Sequence, residues 1–145
     1  MTMKQIFLQL RNFPKRLLLL FCMGPFFLSS YAQRDSLLIV QITDPQFGFF
    51  AQNANFEKET KLYAEAVRQI NQIKPDFVVI TGDFVNNGRD TLQINEFKRI
   101  TACIEKSIPV YLSPGNHDLA LNPSKQDFEW YDSVYGKGSD RFSFH

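Results

Sequence analysis

Three short apolar runs, residues 37–43, 77–80 and 110–112, constrain the fold more than any other feature of the sequence. Each has strand length and a high content of β-branched or aromatic residues. Between the first two, Leu62, Ala66, Val67, Ile70 and Ile73 recur at helical spacing and stop at Lys74-Pro75. Between the second and third, Ile94, Phe97, Ile100, Thr101 and Ile104 repeat that spacing ahead of Pro109. The order is β-α-β-α-β, and strands joined through helices run parallel with right-handed crossovers. An amphipathic stretch near 126–135 and a short strand at 141–144 complete the chain, with no internal repeat. Strands this continuously apolar belong to a sheet covered on both faces, yet two crossovers in one direction place both helices on the same side. A second covering layer is therefore expected from outside these residues.

The beginning of the chain reads as an address. Lys4, Arg11, Lys15 and Arg16 precede an apolar run over 17–28, followed by Ser29-Ser30-Tyr31-Ala32 and Gln33. That is the order of a secretory signal, with small residues where a signal peptidase cuts. Twelve helical residues rise about 18 Å, short of the roughly 30 Å hydrocarbon layer, so a stable membrane span is not expected. The expected division is a signal peptide over 1–32 and a mature domain over 33–145, exported to the periplasm or outside the cell. Cys22 leaves with the peptide, so Cys103 stands alone and is expected as a small core residue within the second helix. Of 16 Lys and Arg, four fall in the first 32 residues, which hold no acid; the remaining 113 carry 12 bases against 15 acids, a formal −3. Clustered positive charge of the kind that grips nucleic acid is not expected.

Each strand runs directly into a loop with an acid or amide: Asp44 after the first, Gly82-Asp83 after the second, and Gly115-Asn116-His117-Asp118 after the third. A parallel sheet brings all three loops to the carboxyl ends of its strands, where open α/β sheets bind ligands. Asp44 and Asp83 offer anionic oxygen and Asn116 a carbonyl oxygen, a hard donor set suited to divalent cations. Two such ions about 3.5–4 Å apart would polarise a phosphate ester and activate water. His117 is placed to stabilise developing charge or protonate the leaving oxygen, with Asp118 fixing its orientation. Taken singly, Asp44-Pro45 and Gly82-Asp83 are ordinary turn signals, and Asn86-Asn87-Gly88 reads as a turn. The tetrapeptide Gly-Asn-His-Asp directly after the third strand is the specific element.

In this order, Asp44-Pro45-Gln46, Gly82-Asp83-Phe84-Val85 and Gly115-Asn116-His117-Asp118 resemble the motifs of the calcineurin-like metallophosphoesterases. The stretch from Thr43 to Gly48 is similar to a branch in which Gln also replaces the first motif histidine. The resemblance implies that this chain is the N-terminal part of a four-layer α-β-β-α sandwich. It implies that Asp44 binds one metal, Asp83 bridges two, Asn116 binds the second and His117 assists the leaving group. The implied cofactors are two divalent ions, Mn, Fe, Mg or Zn, and the implied substrate is a phosphate ester, on a phosphoprotein or a small molecule. Gln46 in place of the histidine favours oxygen-loving ions over zinc. In the family's order the later histidine ligands lie beyond His145, so a C-terminal half is expected to supply them. The alternative is a truncated, non-catalytic secreted fragment or binding module that lacks those ligands.

Overall fold

The computed structural model describes residues 36–137. The signal peptide expected at 1–32, the strand expected at 141–144 and His145 lie outside the described residues. Within them the order is β1 (Ile39–Thr43), α1 (Glu57–Ile73), β2 (Phe77–Thr81), α2 (Thr91–Thr101), β3 (Val110–Ser113) and α3 (Lys125–Tyr135). The three strands form one parallel sheet in the order β1-β2-β3, as the alternation of strand and helix requires. The register aligns Val40 with Val78 and Val78 with Val110, and Ile42 with Ile80 and Leu112. These residues share one face because side chains alternate along a strand.

That face carries the core. Tyr63, Val67 and Ile70 of α1, Ile94, Phe97 and Ile100 of α2, and Tyr131 of α3 join Val78 and Ile80 in one buried cluster, with Val40, Ile42, Val110 and Leu112 packed against it. Both crossover helices thus cover the same side of the sheet. The opposite face presents Ile39, Phe77, Val79 and Tyr111, and with Leu37 and Pro109 these line an open groove of about 660 Å³. Toward the carboxyl ends this face turns polar, with Thr43, Thr81 and Ser113 in register.

Helix ends follow local chemistry. The Asp90 side chain caps α2 by accepting from the N–H groups of Leu92 and Gln93. Ser124 and Asp127 form a reciprocal capping box on α3. Lys74 ends α1 in the left-handed region, φ 52°, ahead of Pro75, which disfavours helix in the residue before it.

Two sequence expectations need correction. The buried stripe of α1 is Glu59, Tyr63, Val67 and Ile70, so Leu62 and Ile73 point to solvent. Helical spacing alone cannot separate this stripe from its neighbour one residue away. The second helix closes at Thr101, beyond which the N–H groups of Cys103 and Ile104 donate to the carbonyls of Ile100 and Thr101 in a tight turn. Ile104 still reaches the core, but Cys103 is exposed in that turn and is not a core residue. Among the described residues no helix is long and apolar enough to cross a membrane.

Candidate active site

The loops after β1 and β2 continue the ladder of the sheet. Beyond the last strand pair, Asp44 N–H donates to the Thr81 carbonyl (3.0 Å), Gln46 N–H to Asp83 (3.0 Å), Phe47 N–H to Phe84 (3.1 Å) and Asn86 N–H to Phe47 (2.9 Å). Phe47 and Val85 form a parallel bridge. Asp44 and Asp83 therefore sit between hydrogen-bonded rungs. Asp44 and Gln46 adopt positive φ, 50° and 39°, a conformation costing about 1–3 kcal/mol per residue. The anchor that offsets it is aromatic. Phe47 and Phe84 are wholly buried, Phe47 edge-on to Tyr63 and Phe97, and Phe84 stacked on Phe97 at 4.9 Å between centroids. Burying one such ring contributes about 1.5–3 kcal/mol, enough to hold the strained turn.

The three loops lie against one another through glycines. A Cβ at Gly82 would stand 2.9 Å from Asp44 Oδ1, and a Cβ at Gly115 would collide with Asp83 Oδ1. Asp44 thus packs on the residue before Asp83, and Asp83 packs on the residue before Asn116. Glycine at both places is what lets the carboxylates approach foreign backbone. The His117 main-chain N–H closes the series by donating to Asp83 Oδ1 at 2.8 Å. Asp83 is nearly buried, whereas Asp44, Asn116 and His117 are exposed at the rim.

The His117 ring has a partner that the sequence did not suggest. Its Nδ1 lies 2.7 Å from the main-chain carbonyl of Asn86. A carbonyl only accepts, so Nδ1 carries the proton and Nε2 is the nitrogen left for chemistry. Asp118, expected to orient this ring, is engaged elsewhere. Its buried carboxylate accepts from the N–H groups of Phe84 (2.9 and 3.1 Å), Val85 (3.3 Å) and Gly115 (2.9 Å), joining the second loop to the third. Burial pushes its carboxyl up to about 7; the three N–H donors pull against that rise and the nearby Asp83 charge adds to it.

A further set of side chains has no signature in the sequence. Asn86 Nδ2 donates to Asn53 Oδ1 (2.8 Å), Gln46 Nε2 donates to Asn86 Oδ1 (3.3 Å), and Gln93 Nε2 donates to the same Asn53 oxygen (2.9 Å). Gly48 makes room for it, since a Cβ there would meet Gln93 Nε2 at 2.5 Å. On the far side, Trp130 of α3 donates its indole N–H to the Gly88 carbonyl (2.9 Å), and Arg89 stacks on the Trp130 ring while pairing with Asp127 (2.7 Å).

The donor set fits divalent cations in kind: two carboxylates and one amide at glycine-lined positions of a single rim. In number it is partial, because among the described residues no three His, Cys, Asp or Glu side chains converge as a metal cluster.

The sequence profile of the calcineurin-like phosphoesterases matches residues 37–144, and the chain belongs to that family. It is similar to human serine/threonine-protein phosphatase CPPED1, 32% identical over 116 residues, covering 70% of this chain and 36% of that protein. It is also similar to the probable glycerophosphodiester phosphodiesterase GpdQ of Arcobacter nitrofigilis, 35% identical over 101 residues, covering 66% and 35%. A crystal structure of a dimetal phosphatase from Danio rerio aligns with a TM-score of 0.45 at 20% identity, over 57% of this chain and 30% of that one. The chain spans about a third of the length of the curated relatives it matches.

Proposed function

We propose that this chain forms the first half of the active site of an exported, metal-dependent hydrolase of phosphate esters. The observation that carries this reading is the contact series Asp44 on Gly82, Asp83 on Gly115 and His117 N–H on Asp83. Asp44, Asp83 and Asn116 would hold two divalent cations, Asp83 being the one that touches both flanking loops. Bound there, such ions supply positive potential to the phosphoryl oxygens and lower the pKa of water. The chain's own part is positional. Ladder bonds and buried aromatics fix the two acids, Asp118 ties the second loop to the third, and His117 keeps its proton on Nδ1. When the ring is doubly protonated, Nε2 is the site from which a proton passes to the departing ester oxygen. A C-terminal half would add the remaining ligands and cover the open sheet face, completing the four-layer sandwich. Residues 1–32 act as a cleaved signal that exports the protein to the periplasm or beyond.

The partial donor count favours a second reading, a module that binds one cation weakly and turns nothing over. The full-length protein separates the two. Titrated with Mn²⁺ by calorimetry, the phosphoesterase should take up two ions and hydrolyse p-nitrophenyl phosphate. Asp83→Asn should lower turnover by more than the about 10–100-fold typical of groups that merely support a ligand. Absence of turnover in the parent protein, with one ion bound, would establish the second reading.

A further inference from the structure

We propose that Asn86 is the positioning residue of His117, and that the amides of Asn53 and Gln93 hold it in place. Asn86 is fixed on every side. Its N–H donates to the Phe47 carbonyl, its side-chain oxygen accepts from Gln46, its side-chain nitrogen donates to Asn53, and its own carbonyl takes the His117 Nδ1 proton.

The direction of the chain follows from one backbone group. The main-chain N–H of Asn87 donates to Gln93 Oε1 at 3.0 Å, which makes that end of the buried Gln93 amide the oxygen. Gln93 must then present nitrogen to Asn53, so the Asn53 atom is an oxygen, and this oxygen accepts Asn86 Nδ2 as well. The other end of Asn86 is therefore oxygen, and Gln46 must turn its nitrogen toward it. Every amide orientation between α2 and the rim is thereby determined, because each amide has one donor end and one acceptor end. Gly88 seats the segment on the third loop, where a Cβ would meet the carbonyl oxygens of His117 at 2.5 Å and Asp118 at 2.7 Å. A peptide unit gripped at so many points presents its carbonyl in one direction, and that direction selects the Nδ1–H form of the ring.

The catalytic meaning of this arrangement rests on the phosphoesterase reading; the ring tautomer does not, so the two can fail separately. Within residues 1–145, His145→Gln leaves His117 as the one histidine. Long-range ¹H–¹⁵N correlation spectra of the metal-free protein, at a pH where the imidazole is neutral, should show His117 predominantly as Nδ1–H. Asn53→Gly suits the left-handed backbone at that residue, φ 69°, and removes the shared acceptor. It should lower the ratio of Nδ1–H to Nε2–H about fivefold, the scale of one neutral hydrogen bond. Asn53→Asp keeps an acceptor for both donors and should restore the ratio. Gln93→Met, which removes both the donor to Asn53 and the acceptor of the Asn87 N–H with little change of length, should lower it in the same sense and serves if Asn53→Gly does not fold. A parent ring in the Nε2–H form, or a ratio unmoved by both Asn53→Gly and Gln93→Met, overturns the proposal.

Discussion

On one face of the sheet Val40, Ile42, Val78, Ile80, Val110 and Leu112 lie under two helices; on the other, Ile39, Phe77, Val79 and Tyr111 border an open groove. The side chains are of the same kind on both faces, so apolar character does not tell them apart. Topology does. With the order β1-β2-β3 never reversing, both crossovers fall on one side, and the second face waits for a partner that the crossovers cannot provide. The two faces also relate differently to the rim. Phe84 and Phe97 connect the covered face to the acidic loops, whereas the apolar part of the open face lies toward the amino ends of the strands. Loss of packing on the covered side should therefore disturb the site, and changes on the open side should leave it intact.

The largest contrast is expected at Phe97, which stacks on Phe84 and touches Phe47 and Tyr63. Phe97→Ala should cost about 3–5 kcal/mol in urea denaturation of the full chain. Asp118→Ala removes the acceptor of three backbone N–H groups in a buried position and should cost about 3 kcal/mol, with the His117 resonances shifted. A loss below about 1 kcal/mol would mean that the second and third loops are joined in some other way.

Tyr63→Phe sharpens the comparison through pH. Burial raises the Tyr63 hydroxyl from 10.0 to about 12, with its hydrogen bond to Thr101 working in the opposite direction. A raised acid pKa means that the unfolded chain ionises first, so this contribution is intact below pH 10 and is lost as pH rises through about 12. At neutral pH Tyr63→Phe should cost about 1 kcal/mol for the lost hydrogen bond, and the deficit should shrink between pH 10 and 12. The smallest effect belongs to the open face. Val79→Ser should alter the denaturation midpoint of this chain by less than about 0.5 kcal/mol while lowering self-association in sedimentation. A cost comparable with that of Phe97→Ala would show the face to be covered after all.

Much of this is legible in the sequence itself. Strands are short, apolar and punctuated by Gly82-Asp83 and Gly115-Asn116, so their places and parallel sense follow from pattern and connection length. The convergence of Asp44 and Asp83 on one rim follows from parallel strands alone. Other features had no local signature. Leu62 and Tyr63 are adjacent on a helix, and only packing against α2 decides which one is buried. Asn53, Asn86 and Gln93 look like turn or surface amides, and their mutual contacts span 33 and 40 residues of chain with no period to reveal them. Asp118 stands beside His117 in sequence, but its buried carboxylate serves main-chain donors of the second loop and Gly115 of its own, a pairing that neighbourhood in sequence cannot show.

Because hydrogen-bonded rungs lie on both sides of Asp44 and Asp83, the acids are not at the frayed tip of the sheet but inside it. Their spacing should persist until the strands themselves come apart, so the amides of Gln46 and Phe47 should exchange with deuterium as slowly as those of β2. Any ion entering or leaving must then pass through water at the mouth of the rim, since local melting cannot open a side door.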